Sequence, residues 1–222
     1  MSEPPFIHLR LHSEYSISDG IVRLGDAVAR AAADGMPALA LTDLANLFGL
    51  VKFYSAARYK GVKPLLGSDV FIANDNDPDR PYRLLLLCRS HRGYLQLCEL
   101  LSRAYLAPRV HGRAEITRRM LREVGVDGLL ALSGAGAGDV GEALAQGNRQ
   151  QAGRRAEEWA RLFPDAFYLE VQRYGQPRQE QMVAATADLA ADLALPLVAT
   201  HPIQFLDRDD FKAHEARVCI AE

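Results

Sequence analysis

Cysteine is scarce in this sequence of 222 residues, with only Cys88, Cys98 and Cys219 present. An odd count without short metal-type spacing excludes a disulfide framework and a zinc-finger-like cluster. It leaves reduced, mostly buried thiols of a cytoplasmic protein as the expectation. A surplus of charge of one sign is also missing, since the formal net charge is −2. That balance argues against a free-standing nucleic-acid-binding module, which carries a basic footprint. No segment approaches the roughly 20 apolar residues of a membrane span, and no basic start precedes an apolar run. With 49% hydrophobic and 24% charged residues, the composition is that of a soluble globular chain.

What is present is an alternation of short apolar runs and helical patterns. The runs "FIHLRL", "PALALTD", "KPLLGSDVFI", "RLLLLC", "DGLLALSG", "AFYLEVQ" and "PLVATH" predict seven strands. Between them, "IVRLGDAVARAAADG" predicts a helix with Leu24, Val28 and Ala31 on one face and Gly35 beyond its end. "NLFGLVKFYSAARYKG" places Leu47, Val51, Tyr54 and Arg58 at helical spacing. "GYLQLCELLSRAYL" does the same for Tyr94, Cys98, Leu101 and Tyr105, and Trp159 and Phe163, four apart in another helical run, read as core. The turn-rich "ANDNDPDRP" separates the third and fourth strands.

Unbroken apolar strands followed by helices predict an α/β fold with a parallel sheet buried on both faces. Closed into a barrel, such units place working residues on the loops after the strands. An open doubly wound sheet places the same loops at one edge, and the barrel is the preferred reading. The loop positions are His12, Asp43, Asp69, Ser133–Asp139, Arg173 with Tyr174, and His201. No linker or repeat is visible, so residues 1–222 read as one domain. The stretch 207–222 starts a helix that leads toward further chain, with acidic residues in its first turn.

"HLRLH" puts His8, Arg10 and His12 on one side of a strand by alternation. Histidines so placed can share a divalent metal, but a guanidinium stays protonated and offers no lone pair. Arg10 therefore removes a ligand and adds a competing charge. It is expected to pair with a carboxylate such as Asp43 or Asp69.

"HLRLHSEYSISDG", "ALALTDLANLFGLVKFY", "GVKPLLGSDVF", "FYLEVQRYGQP" and "LVATHPIQFLDRDDFKAHE", in that order, resemble the N-terminal PHP (polymerase and histidinol phosphatase) domain of the bacterial replicative DNA polymerase III alpha subunits. The resemblance covers essentially the whole chain and implies a distorted (β/α)7 TIM-like barrel. It also implies nine ligand places around a trinuclear metal cluster. Here His12, Asp19 and Asp69 keep a donor, while Arg10, Leu44, Arg83, Ala135, Pro202 and Gln204 stand where donors are lost.

Three scattered donors do not hold three divalent ions, each of which wants four to six ligands. A degenerate site is therefore expected, with a single weak metal at most and ion pairs among Arg10, Arg83, Asp43 and Asp69 in its place. No catalytic residue is expected in this stretch. The resemblance implies a parent DNA-directed DNA polymerase that uses magnesium elsewhere in its chain. In it this domain would be a scaffold and a docking surface for the separate proofreading exonuclease subunit. DNA and the sliding clamp would be reached through other domains. The competing reading is an active metal-dependent phosphoesterase or 3′–5′ exonuclease.

Other features take plainer readings. "SGAGAGDVG" matches no phosphate-binding glycine spacing and reads as a flexible loop. Arg118, Arg119 and Arg122 read as a solvated helix face, His201 as a rim residue, and His214 with Glu215 as a packing or capping pair.

Overall fold

The computed structural model describes residues 6–108 and 112–221. Its helices are α1 (Leu24–Ala33), α2 (Leu50–Tyr59), α3 (His91–Leu106), α4 (Arg118–Val124), α5 (Asp139–Ala145), α6 (Arg149–Leu162), α7 (Gln179–Asp192) and α8 (Phe211–Ala221). Its strands are β1 (Ala38–Leu41), β2 (Lys63–Ile72), β3 (Tyr82–Cys88), β4 (Glu115–Ile116), β5 (Leu129–Leu132), β6 (Phe167–Gln172) and β7 (Leu197–Thr200). They divide into two compact units, residues 1–68 with 202–222, and residues 69–201. Among the described residues, no helix is long and apolar enough to cross a membrane.

In the first unit, α1 and α2 bury one stripe each. Leu24, Val28 and Ala31 of α1 pack with Phe53 and Ala57 of α2, Leu39 and Leu41 of β1, and Leu11. Phe53 is fully enclosed, and truncating such a side chain to alanine costs about 3–5 kcal/mol. The face of α2 marked by Val51 and Tyr54 points outward instead, at 74% and 46% exposure. Both faces of α2 carry apolar residues, so periodicity alone did not choose between them. β1 pairs in parallel with the start of β2, from Ala38 opposite Lys63 to Leu41 opposite Leu66.

"FIHLRL" does not form a regular strand. Only Leu11 makes a bridge, to Ile203, and its N–H donates to Thr42 Oγ1 at 2.9 Å. A side-chain hydroxyl thus takes a ladder position that a backbone carbonyl would fill. The segment is nevertheless held, because Ala40 N donates to His8 O and Thr42 N to Leu11 O, at 2.9 and 3.0 Å.

In the second unit, β5 pairs in parallel with β6 and β6 with β7, while β4 pairs in parallel with the end of β2. β3 and β5 are antiparallel, with Leu85 opposite Leu132 and Cys88 opposite Leu129, which corrects the all-parallel expectation. The cause is the connection between β2 and β3, which are neighbours in the sheet. Only residues 73–81 join them, without a helix. A parallel return needs a crossover of a dozen residues or more, so β3 reverses direction. The fold is therefore mixed α/β, with parallel and antiparallel pairings. The loop after β5 contains a 3-10 turn, Ala135–Ala137, and packs on itself. A Cβ added at Gly138 would lie 1.7 Å from Ser133 O, and one at Gly141 would lie 1.9 Å from Ala135 O. Close backbone approach explains these glycines, so the loop is compact.

Candidate functional site

In the first unit, the residues after the Leu11 bridge fold into a short 3-10 turn, Glu14–Ser16, capped by Ser13. Asp43, just past β1, organises it. Its Oδ1 accepts from Ser13 N at 2.6 Å, Ser13 Oγ at 2.9 Å and Ser16 Oγ at 2.8 Å. Ser16 Oγ in turn accepts from Leu44 N at 3.0 Å. Burial raises the Asp43 pKa above the ordinary aspartate value, and the hydrogen bonds from Ser13 and Ser16 oppose that rise. Asp43 is thus a structural carboxylate held by serine donors.

This turn brings His12 and Asp19 together. His12 Nδ1 lies 2.9 Å from Asp19 Oδ2, and Gln204 Nε2 donates to the same oxygen at 3.3 Å. His214 Nε2 sits 2.9 Å from Asp19 O. A carbonyl can only accept, so that ring nitrogen carries the proton. His214 anchors the Asp19 backbone from α8, a non-local role that the packing reading of "KAHE" missed. Arg10 is buried, at 6% exposure, and Ile203 N donates to its carbonyl at 3.3 Å. Leu44 and Pro202 are half-buried and carry no donor atom for a metal.

In the second unit, Asp69 on β2 meets Arg83 on β3. Arg83 Nε donates to Asp69 Oδ1 at 3.2 Å and Nη2 to Oδ2 at 2.7 Å. The Asp69 side chain has no exposed area and that of Arg83 has 20%. The guanidinium also lies over the Phe71 ring, 5.0 Å from its centroid. This planar two-pronged pairing satisfies both carboxylate oxygens, a geometry that arginine supplies and lysine does not. Ala135 begins the turn after β5 and lines a cavity of ≈170 Å³ with Glu170, Gln172, Met182 and Thr186.

Two carboxylates are central to this unit: Glu170, which the sequence did not single out, and Asp139, which closes the expected Ser133–Asp139 loop. Glu170, buried in β6, accepts from Gly134 N at 3.0 Å and from Thr200 Oγ1. It therefore ties the β5 loop to the end of β7. Its signal was a lone charge inside "FYLEVQ", which reads at first as unbroken apolar sequence. Asp139, buried at the start of α5, accepts from Arg118 Nη2 at 2.6 Å and Trp159 Nε1 at 2.9 Å. Arg118 also bonds Glu158, so it is not part of a solvated face, whereas Arg119 is 82% exposed beside Glu123. His201 is exposed, and Arg173 is exposed and paired with Glu180.

Among the described residues, no group of three or more His, Cys, Asp or Glu side chains is arranged to hold a metal ion. The metal cluster that the resemblance implies needs a lone-pair donor at each of its places. The arginine, leucine, alanine and proline places offer no lone-pair donor, and Asp69 is engaged by Arg83 through both oxygens.

The chain belongs to the PHP domain family, whose model matches residues 8–174. Among relatives it is 50% identical over 224 residues to the DNA polymerase III subunit alpha of Neisseria meningitidis serogroup A, covering 100% of this chain and 20% of that protein. It is 44% identical over 222 residues to the subunit of the same name from Escherichia coli K12, covering 99% and 19%. The chain thus spans about a fifth of the length of these relatives. Two solved structures share the fold. One, from Bifidobacterium adolescentis, is provisionally called a metal-dependent phosphoesterase, with TM-score 0.53, 15% identity, and coverage of 97% of this chain and 98% of that one. The other is an amidohydrolase from Chromobacterium violaceum, solved with sulfate and no metal, with TM-score 0.53, 17% identity, and coverage of 95% and 96%.

Proposed function

We propose that residues 1–222 serve as the PHP domain of a replicative DNA polymerase alpha subunit, and that this domain is a scaffold without metal chemistry of its own. The observation that carries the second half is the fork between Arg83 and Asp69. One lost ligand place supplies a fixed cation that uses up one of the three remaining donors. His12 and Asp19 face each other in the same spirit, with Gln204 on the shared oxygen. Two such remnants do not assemble the metal-activated hydroxide that phosphoester hydrolysis requires.

On this reading the mixed α/β framework serves as a brace for the polymerase region of the same chain, into which 207–222 leads. The proofreading exonuclease subunit docks on it. DNA and the sliding clamp are engaged by the other regions, where magnesium supports nucleotidyl transfer. Elemental analysis of the purified chain, paired with a phosphomonoester hydrolysis assay, tests the reading. Sub-stoichiometric zinc, manganese and iron with no turnover is expected. Stoichiometric metal with hydrolysis that a chelator abolishes overturns it in favour of a working phosphoesterase.

A further inference from the structure

The outward face of α2 has no role in the reading above. Phe48, Val51 and Tyr59 are 62%, 74% and 87% exposed, while Leu50, Phe53 and Ala57 occupy the inner stripe. The helix therefore shows aromatic and aliphatic side chains to solvent, which marks it as a candidate contact surface.

The charge along this stretch of chain is one-sided. From Leu44 to Ser68 the chain carries Lys52, Arg58, Lys60 and Lys63 and no aspartate or glutamate. Lys52 reaches Glu14 at 3.9 Å and lies over the Tyr15 ring. Among the described residues, no carboxylate pairs with Arg58, Lys60 or Lys63. A formal net charge of −2 for the whole chain does not cancel such a cluster, because charges beyond about 8 Å are screened at physiological ionic strength. Arg118 and Arg119, by contrast, already have acidic partners.

Exposed rings interleaved with unpaired cations are the surface on which unstacked bases lie while their phosphates are neutralised. We propose that the outer face of α2 together with its flanking residues, from Phe48 before the helix to Lys63 at the start of β2, binds a single-stranded nucleic-acid segment. Phe48 and Tyr59 act as stacking platforms, and Arg58, Lys60 and Lys63 as phosphate contacts. The surface favours a nucleic acid over a protein partner because three of its four cations are lysines. Lysine is depleted in protein–protein interfaces, whereas phosphate binding favours it.

The test is a fluorescence-anisotropy titration of a labelled sixteen-nucleotide oligothymidylate with the 222-residue chain. Binding should be measurable at about 50 mM salt. Three phosphate contacts at roughly −0.7 in log–log slope each then predict about a 20-fold loss by about 200 mM. Tyr59→Ala and the pair Arg58→Glu with Lys60→Glu should each weaken binding at least about fivefold. Their thermal unfolding should match that of the parent chain, because all three side chains are exposed. Arg119→Glu should leave binding unchanged. The proposal fails if the oligonucleotide does not bind at low salt, as a protein-docking face would predict. It also fails if binding ignores the α2 substitutions or is abolished by Arg119→Glu.

Discussion

The guanidinium of Arg118 lies over the indole of Trp159, 4.4 Å from the ring centroid. The same arginine and the same indole N–H converge on Asp139. Each member of this trio satisfies another, so a basic side chain that looks like surface decoration in the sequence holds α4, α5 and α6 together. Removing it leaves Asp139 short of a partner and uncovers the ring.

Arg118→Ala should therefore lower unfolding stability by about 2–3 kcal/mol in urea, the scale for a charged hydrogen bond lost beside an aromatic contact. Arg119→Ala, at an exposed site, should change stability by less than about 0.5 kcal/mol. Trp159 is the chain's one tryptophan, so its fluorescence reports both variants directly. Equal effects from the two substitutions would contradict the structural role given to Arg118.

For the fork between Arg83 and Asp69, one-sided removal is the damaging change. Arg83→Met removes both hydrogen bonds that the fork gives the buried Asp69 carboxylate and should cost about 3 kcal/mol, whereas Arg83→Met combined with Asp69→Leu should recover most of that loss. Chemical denaturation of the single and double variants measures the difference. A double variant as unstable as the single one would show that the pair contributes net stability.

Asp43 sets a pH dependence whose sign follows from its raised pKa. The folded state holds the proton more tightly than the unfolded chain. The associated stability is therefore complete below the unfolded value of about 3.8 and is lost as pH rises through the higher folded value. In Asp43→Asn, the amide oxygen can take the Oδ1 place that receives Ser13 N, Ser13 Oγ and Ser16 Oγ. The difference in stability between Asp43→Asn and the parent chain should thus move in favour of asparagine as pH rises above the unfolded value. Urea titrations at several pH values measure it. A difference that stays flat would mean that the carboxylate is not penalised by burial.

Metal affinity should respond only to collective change. Arg10→His alone should leave zinc binding undetectable by calorimetry. Donors restored together at Arg10, Leu44, Arg83, Ala135, Pro202 and Gln204 should produce tight binding, since each ion needs four or more ligands. Tight binding by the single variant would show that the missing donors had been overcounted.

The sequence revealed most of the helices because their inner faces are unambiguous, as with Leu24, Val28 and Ala31. It placed α2 without choosing its inner face, because Val51 and Tyr54 compete there with Leu50, Phe53 and Ala57. The first predicted strand failed at Leu11, where a threonine hydroxyl replaces a ladder partner. The antiparallel β3 was legible in the helix-free nine-residue connection before it, although the apolar run alone suggested another parallel strand. At the site, single-residue chemistry was readable: an arginine cannot donate a lone pair wherever it sits. Which carboxylate it meets is a non-local matter. So are the links from Glu170 to Thr200 and from His214 to Asp19, which join residues 30 and 195 positions apart.

On the proposed reading, the Arg83–Asp69 fork also works as a ratchet on descent. A lineage that exchanged Arg83 for a histidine would first lose the two-pronged pairing with the buried Asp69 carboxylate, weakening the domain before any ion could reward the change. Reversal would need several simultaneous codon changes, so the present state is guarded by the penalty on its nearest mutational neighbours.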